Sequence, residues 1–224
     1  MRERFNGQLK ELHENLTHMG NLCEEAISAA AASLMSGNEE MRRRTFAADE
    51  EIDNLERKIE TLCLKLLLQQ QPVASDLRAI SSALKMISDM ERIGDQAADT
   101  AELSQYLATS VIKGKIHLEE MAKETVQMVN ESIAAFVEND LERARGVIAQ
   151  DDRVDSLFDQ IRSELPEVIV RGELEARAAL DLLMAGKYLE RIGDHAVNIA
   201  EWVEYSITGI HKSHEHQLWE EAKS

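Results

Sequence analysis

The sequence predicts an all-α protein built as a tandem repeat of two three-helix bundles, and three observations support this. Aromatic residues make up only 4% of the chain and there are two prolines, a composition typical of long helices rather than sheets. Apolar residues recur at alternating spacings of three and four, the pattern of helices that pack along a seam. The pentapeptide "ERIGD" occurs twice, at Glu91–Asp95 and at Glu190–Asp194. The two copies indicate an internal duplication.

The duplication extends over most of the 224 residues. "AADEEID", which ends at Asp53, matches "AQDDRVD", which ends at Asp155, and "MGNLCEEAISAAAASL" matches "MAKETVQMVNESIAAF". The copies differ in length where "QQQPVAS" is longer than its counterpart near "RGEL", and such insertions concentrate in surface turns between helices. We therefore predict a first bundle over residues 1–112, a second bundle over 113–208 and a polar C-terminal tail over 209–224.

Each half is predicted to contain three helices. Their approximate ranges are Gln8–Ser36, Glu39–Gln70 and Ser75–Ala108 in the first half, and Ile116–Glu138, Asp140–Val170 and Glu173–Tyr205 in the second. The segment "KGK" at Lys113–Lys115 separates the halves. Pro166 falls inside the fifth helix, where we expect a kink because proline removes a backbone hydrogen bond and crowds the preceding turn.

The apolar seams indicate which face of each helix is buried. On the second and third helices, heptad positions a and d are occupied by Ile52, Leu55, Ile59, Leu62, Leu66, Ile80, Ala83, Ile87, Met90, Gly94, Ala97 and Ala101. Gly94 and its repeat Gly193 both fall at position a. Because glycine costs a helix interior up to ~1 kcal/mol relative to alanine, its presence at both positions indicates that neighbouring helices approach closely there.

The charge balance is strongly acidic, with 42 Asp and Glu against 25 Lys and Arg and a formal net charge of −17. An acidic surface repels phosphate backbones, so this balance disfavours nucleic-acid binding and favours cationic partners or metal ions. The alternative is an acidic surface that serves solubility alone.

The sequence shows no sign of export or membrane insertion. "MRERFNGQLK" is polar from the first residue, which disfavours a signal peptide, and no segment approaches the ~20 apolar residues of a membrane span. We therefore expect a soluble, cytoplasmic protein. In that reducing compartment, Cys23 and Cys63 are expected to be buried free thiols rather than a disulfide.

Acidic residues follow the same pattern beside the seam in both halves. Asp49 and Asp53 lie one turn apart on the second helix, as do Glu91 and Asp95 on the third, with Asp99 one turn further. The equivalent residues of the second half are Asp151, Asp155, Glu190, Asp194 and Asn198. In each half both pairs lie about 20 residues, or roughly 30 Å, from the turn that joins their helices. Because those helices run antiparallel, four carboxylates are predicted to converge at one level.

Converging carboxylates favour a bound cation. Like charges one turn apart destabilise a helix, and bringing two such pairs together raises their pKa values, whereas a cation between them removes that cost. Oxygen donors without thiols suit hard or borderline divalent ions, with iron, zinc, manganese and magnesium as candidates. The alternative is a pair of solvated helix faces with Arg92, Arg191, Arg57 and Lys58 as salt-bridge partners.

Histidines are weaker candidates for metal binding. His195 adjoins Asp194, but its counterpart in the first half is Gln96, so it is not a repeated ligand. The C-terminal segment "HKSHEH" offers imidazoles that could chelate an ion, from His211, His214 and His216. A solvated tail is the favoured interpretation of that segment.

Together these features resemble the PhoU family. The resemblance covers essentially the whole chain and rests on the tandem bundles, on "RIGD" late in each half, on "QQPVASDLR" opening the third helix and on the paired D/E-x-x-x-D motifs. It implies a cytoplasmic, non-enzymatic accessory protein of the high-affinity phosphate-specific ABC transporter and a negative regulator of the phosphate-starvation regulon. The implied partners are the ATPase subunit of the transporter and a membrane sensor histidine kinase, and a homodimer is expected.

The resemblance also places the family's metal-binding motif on the two sets of acidic residues named above. Asp99 and Asn198 occupy a further family position, one turn beyond the "ERIGD" copies. Because Asn198 is neutral where Asp99 is acidic, we expect the second site to bind fewer or weaker ions.

Two other functions are alternatives to this one. A carboxylate-bridged di-metal enzyme on a helical bundle would use Glu-x-x-His pairs, and no histidine in the chain has a glutamate three residues before it. A metal-free acidic scaffold would use the same carboxylates to dock basic partner surfaces. Since no segment resembles a phosphate-binding loop, we do not expect the chain to sense free phosphate directly.

Overall fold

The structure is a computed structural model, and it describes residues 2–70, 72–105 and 117–210. These residues form six α-helices: α1 Arg2–Ser36, α2 Glu39–Gln70, α3 Ala74–Leu103, α4 Leu118–Glu138, α5 Leu141–Val170 and α6 Ala176–Thr208. The described residues contain no β-strand, so the predicted all-α class is confirmed. Within the same ranges, no helix has the length and apolar character needed to cross a membrane.

All six predicted helices are present, and their ends differ from the prediction for local reasons. α1 begins at Arg2 rather than Gln8, because the buried Phe5 packs into the core and extends the helix toward the N-terminus. α6 begins at Ala176 rather than Glu173, because a turn that contains Gly172 at a φ of 69° precedes it.

Several predictions fall outside the described residues. They concern the boundary between residues 112 and 113, the "KGK" segment, the end of the third helix at Ala108, the start of the fourth at Ile116, and the histidines at 211, 214 and 216.

α5 continues through Pro166 as far as Val170.

The turns that precede α2 and α5 use equivalent chemistry in the two halves. Gly37 and Asn139 both adopt a left-handed conformation, with φ of 64° and 55°, which ends the preceding helix. The next residue then caps the following helix: the Asn38 side chain accepts a backbone hydrogen bond at 2.9 Å, and Asp140 accepts one from the Arg143 N–H at 3.0 Å. The repeat is therefore preserved in its turns as well as in its seams.

One continuous hydrophobic core runs through both three-helix sets. Every seam residue predicted on α2 and α3 is buried, so the predicted register is confirmed. Among the described helices the most extensive contact is between α3 and α6, and α1 also packs on α4. Cys23 and Cys63 are buried free thiols, as predicted, and burial raises the pKa of Cys63 to about 12.

α3 and α6 run antiparallel across the contact between the two halves. Asp89 of α3 lies beside His195 of α6, with Oδ1 and Nδ1 separated by 2.8 Å. Further along α3, the charge of Asp99 adds to burial in raising the pKa of Tyr188, which lies earlier on α6. Along this contact the residue numbers rise on α3 while they fall on α6, so the two helices are antiparallel. The two "ERIGD" segments lie at the same level, on either side of this contact.

Candidate metal centres

Gly94 and Gly193 bring the carboxylate-bearing helices close together in both halves. A Cβ atom on Gly94 would lie 2.7 Å from Asp49 Oδ1 of α2. A Cβ atom on Gly193 would lie 3.3 Å from Val154 Cγ1 and 3.5 Å from Asp151 Oδ1 of α5. The close approach predicted at these glycines is confirmed. Each "ERIGD" glycine faces an aspartate of the neighbouring helix at its own level.

The first cluster consists of the carboxylates of Asp49, Asp53, Glu91, Asp95 and Asp99. Burial raises the pKa of Asp49 to about 6, and the charges of the other four carboxylates add to this rise. The pKa values of Glu91 and Asp99 are also raised, first by burial and then by the charge of Asp95. The predicted residues of the first half therefore interact as one electrostatic group.

The Oδ1 atom of Asp49 is the buried centre of the first cluster. None of the described residues donates a hydrogen bond to this atom. A buried carboxylate oxygen without a partner is rare, because losing contact with water costs free energy that a hydrogen bond or ion normally offsets. A cation or a proton at this oxygen would satisfy it.

Arg92 neutralises part of the first cluster from the solvent side. Its guanidinium lies 3.5 Å from Glu91 and 3.3 Å from Asp95, and 61% of the Arg92 side chain is exposed. Arg57 and Lys58, which were also expected as salt-bridge partners, donate hydrogen bonds to asparagine side chains instead. Surface ion pairs thus explain the outer edge of the cluster and leave its buried centre unexplained.

The second cluster consists of the carboxylates of Asp151, Asp155, Glu190 and Asp194. Burial raises the pKa of Asp151 to about 6, with further contributions from Asp155, Asp194, Asp152 and Glu190. Burial and then the charge of Glu190 raise the pKa values of Asp155 and Asp194. In both halves, therefore, the aspartate that faces the "ERIGD" glycine has its pKa raised to about 6.

Asn198 makes its hydrogen bond across the contact between α3 and α6. Its side-chain amide donates to Asp89 Oδ1 at 3.1 Å, the same oxygen that lies beside His195. The sequence repeat did not predict this contact, because it does not show which residues of a helix face the other bundle. Participation of Asn198 in a metal site stays a prediction.

Three residues beside the clusters were not among the predicted site residues. Burial and then the charge of Asp53 raise the pKa of Glu56. Lys187 pairs with Glu190, and its ammonium lies 5.6 Å from the centroid of the Phe158 ring. Glu56 and Lys187 each lie three residues from a predicted site residue, a spacing that places side chains on one helical face. From the sequence alone, that spacing could have shown that Glu56 and Lys187 lie beside the clusters.

Comparison with known proteins agrees with this architecture. The family model of the PhoU domain matches residues 16–104 and 118–203, one match on each three-helix set. The chain belongs to the PhoU family. A Clostridium acetobutylicum relative, named phosphate-specific transport system accessory protein PhoU homolog, is 34% identical over 215 residues, covering 93% of this chain and 96% of the relative. A Pseudomonas aeruginosa relative of the same name is 32% identical over 214 residues, covering 95% and 88%.

Solved PhoU structures share the fold. The crystal structure of PhoU from Pseudomonas aeruginosa matches with a TM-score of 0.82 and 32% identity, covering 92% of this chain and 100% of that chain. The phosphate transport system regulatory protein PhoU from Streptococcus pneumoniae matches with a TM-score of 0.81 and 27% identity, covering 92% and 98%. The resemblance to the PhoU family and the tandem helical architecture are therefore confirmed.

Each PhoU domain carries one cluster, and the donors are almost entirely carboxylate oxygens, which suit hard or borderline divalent ions. Within residues 2–70, 72–105 and 117–210, no group of three or more His, Cys, Asp or Glu side chains is arranged to hold a metal ion. Because carboxylates of like charge repel one another, ligation requires their side chains to rotate toward a shared cation. The donor chemistry and the buried Asp49 oxygen fit such an ion.

Proposed function

We propose that this chain is an accessory protein of a high-affinity phosphate-specific ABC transporter and a negative regulator of phosphate-starvation genes. The observation that carries the proposal is sequence similarity over most of the chain. Both PhoU domains match, and relatives that share most of the chain's length are named as accessory proteins of phosphate-specific transport. The name of the Streptococcus pneumoniae protein adds a regulatory role for that relative.

The proposed partners are the ATPase subunit of the transporter and a membrane sensor histidine kinase. The chain would link them in the cytoplasm as a homodimer, and it would act by docking rather than by catalysis. Its net charge of −17 favours basic docking surfaces on these partners, because complementary charge accelerates and orients association.

We further propose that both clusters bind divalent metal ions. The residues that would hold them are Asp49, Asp53, Glu91, Asp95 and Asp99 in the first half, and Asp151, Asp155, Glu190, Asp194 and Asn198 in the second. The raised pKa values of Asp49 and Asp151 support this, because a cation would stabilise the charged form of each carboxyl. Bound ions would join α2 to α3 and α5 to α6, and would stiffen the helical surfaces that partners meet.

The regulatory proposal is tested by deleting the gene in its own host. Phosphatase activity driven by phosphate-starvation promoters should rise in phosphate-rich medium, and a plasmid copy of the wild-type gene should lower it again. The empty plasmid is the control. Phosphatase activity that stays at the wild-type level after deletion would contradict the regulatory role.

We do not expect the chain itself to bind and sense phosphate. Titration of the purified chain with inorganic phosphate should give no binding heat in a calorimeter. A saturable heat signal in the physiological range of phosphate concentration would show that the chain senses the ion itself.

The metal proposal is tested by elemental mass spectrometry on protein purified without chelator or a nickel column. Stoichiometric metal should be present in the wild-type chain and lost in the double variant Asp95→Asn plus Asp194→Asn. Circular dichroism should show the same helix content in both proteins. A wild-type chain that carries no metal and takes up none when Mn²⁺ is added would leave the clusters as acidic docking faces.

A further inference from the structure

Three positions beside the shared carboxylates carry different charges in the two halves. The equivalent pairs, with the first half named first, are Glu56 and Phe158, Ser88 and Lys187, and Asp99 and Asn198. At these positions the first half carries two negative charges and the second half carries one positive charge. These three substitutions make the surroundings of the second cluster less negative. One neighbouring pair acts in the opposite direction, because Arg57 of the first half is replaced by Asp159, whose charge adds to the rise in the pKa of Asp155.

Lys187 places its ammonium among the carboxylates of the second cluster. Its Nζ atom pairs with Glu190 Oε2. Its charge also acts to lower the pKa values of Asp155 and Asp194, against the rise that burial and Glu190 cause. Ser88, at the equivalent position of the first half, carries no charge.

Phe158 helps to hold Lys187 in this place. The ammonium lies 5.6 Å from the ring centroid, within the range of a cation–π interaction. The ring packs against the adjacent Gly186, where an added Cβ atom would lie 3.2 Å from Phe158 Cδ2. The first half has Glu56 in place of the ring and Ile87 in place of the glycine. The support for the lysine is therefore particular to the second half.

The arginine of the "ERIGD" segments does not account for the difference between the clusters. Arg92 and Arg191 occupy the same position in the two "ERIGD" copies, so both halves contain this guanidinium. Arg92 pairs with the first cluster at its exposed rim. Lys187 is the cation that pairs with a predicted ligand of the second cluster, whereas Arg57, which has no cationic counterpart in the second half, donates a hydrogen bond to Asn54.

We propose that the Lys187 ammonium takes the place of one metal cation in the second cluster, so that divalent ions bind more tightly and in greater number at the first. This inference rests on the metal binding proposed above. The ammonium repels an incoming cation and pairs with the Glu190 carboxylate that would otherwise be a ligand. The first cluster, with Glu56 and Asp99 added, offers more oxygen donors.

The test is titration of the metal-stripped full chain with Mn²⁺, by calorimetry and by native mass spectrometry. Asp151→Asn plus Asp194→Asn leaves the first cluster intact, and Asp49→Asn plus Asp95→Asn leaves the second. The chain with the first cluster intact should bind Mn²⁺ at least about tenfold more tightly and should hold more ions.

The lysine is then varied in each background. Lys187→Ser, which introduces the residue of the first half, should raise the Mn²⁺ affinity of the second cluster about threefold or more. Ser88→Lys should lower the affinity of the first cluster. Lys187→Arg keeps the charge and is the matched control, with an affinity close to that of its parent.

Each outcome bears on a different proposal. Equal affinity and ion number at the two isolated clusters would overturn this inference and leave the metal proposal standing, as would a Lys187→Ser variant with unchanged affinity. A wild-type chain that binds Mn²⁺ at neither cluster would overturn both.

A readout without metal provides an independent check. In chelator, Lys187→Ser should unfold at a lower temperature than the wild type, because the carboxylates of the second cluster lose their internal counter-charge. Mn²⁺ should then raise the unfolding temperature of the variant by more than that of the wild type. A variant as stable as the wild type in chelator would show that the ammonium does not neutralise the cluster, and would overturn the inference.

Discussion

Asp49 Oδ1 on α2 and Gly94 on α3 face each other so closely that a methyl group on the glycine would lie 2.7 Å from the oxygen. The first "ERIGD" glycine therefore makes room for a carboxylate as well as for an apolar seam. The same close approach buries that carboxylate, and burial is the main cause of its raised pKa. Helix packing and cluster electrostatics thus depend on one contact.

Gly94→Ala should be less stable than Gly193→Ala. In a helix interior alanine gains up to ~1 kcal/mol over glycine, but the new Cβ at residue 94 must turn the Asp49 carboxylate away and also lies 3.2 Å from Ile52 Cδ1. At Gly193 the new contacts would be 3.3 Å to Val154 and 3.5 Å to Asp151, which need only small adjustments. We expect the free energies of unfolding in urea to differ by about 1 kcal/mol. Equal stability of the two variants would contradict this explanation.

The metal-free protein should lose stability as the pH rises from about 4 to about 6. Asp49 and Asp151 have pKa values of about 6 in the folded state, above the ~3.9 of an unfolded chain. The folded state therefore binds more protons in this window, and the free energy of unfolding falls as the pH rises. Because both carboxyls remain partly exposed, we expect a loss on the order of 1 kcal/mol each.

Urea unfolding in chelator, at several pH values across this window, measures the loss. The double variant Asp49→Asn plus Asp151→Asn keeps the side-chain shape and removes both titrating groups, so its stability should vary less with pH. The same pH dependence in the wild type and the double variant would show that other groups are responsible.

Mn²⁺ binding should release protons at about pH 6. Metal displaces protons from ligands that are still partly protonated, and Asp49 and Asp151 meet that condition. Calorimetric titrations in two buffers of different ionisation enthalpy should give different binding heats near pH 6. Near pH 8 the heats should converge, since both carboxyls are then ionised. Buffer-independent heats near pH 6 would argue against these two ligands.

Asp89→Ala should destabilise the fold by about 1 kcal/mol, because it leaves the partly buried His195 ring without its acceptor. Asp89 Oδ1 is the oxygen that the side chains of His195 and Asn198 both contact. Asp89→Asn keeps an acceptor oxygen and is the matched variant, with a smaller expected loss. The free energy of unfolding in urea measures both, and an Asp89→Ala variant as stable as the wild type would refute a structural role for this contact.

The local features of this fold were predictable from the sequence. The seam residues repeat at helical spacing, so the burial of Ile52 and Met90 could be predicted without knowledge of the tertiary structure. The duplication predicted the two candidate sites, because it placed Gly94 and Gly193 at one equivalent position and thereby located the aspartates opposite them. Periodicity and repetition both report on neighbours within one bundle.

Contacts between the bundles were not predictable in this way. Asp89 meets His195 and Asn198 across α3 and α6, and nothing in a single helical pattern indicates which residues face the other bundle. The cation–π contact between Lys187 and Phe158 was missed for a related reason. The prediction followed what the two halves share, whereas this contact lies where they differ.

The antiparallel contact of α3 with α6 has a thermodynamic consequence. α3 carries Glu91 and Asp95 of the first cluster, and α6 carries Glu190 and Asp194 of the second. Asp89 of α3 contacts His195 of α6 and so links the two helices. An ion that moved either helix on binding would change the affinity of the other cluster, and linkage requires the effect to be reciprocal and equal in size. If the two sites differ in affinity as proposed, they would fill at different metal concentrations, and the sign of the coupling through α3 and α6 would decide whether those two steps merge or move further apart.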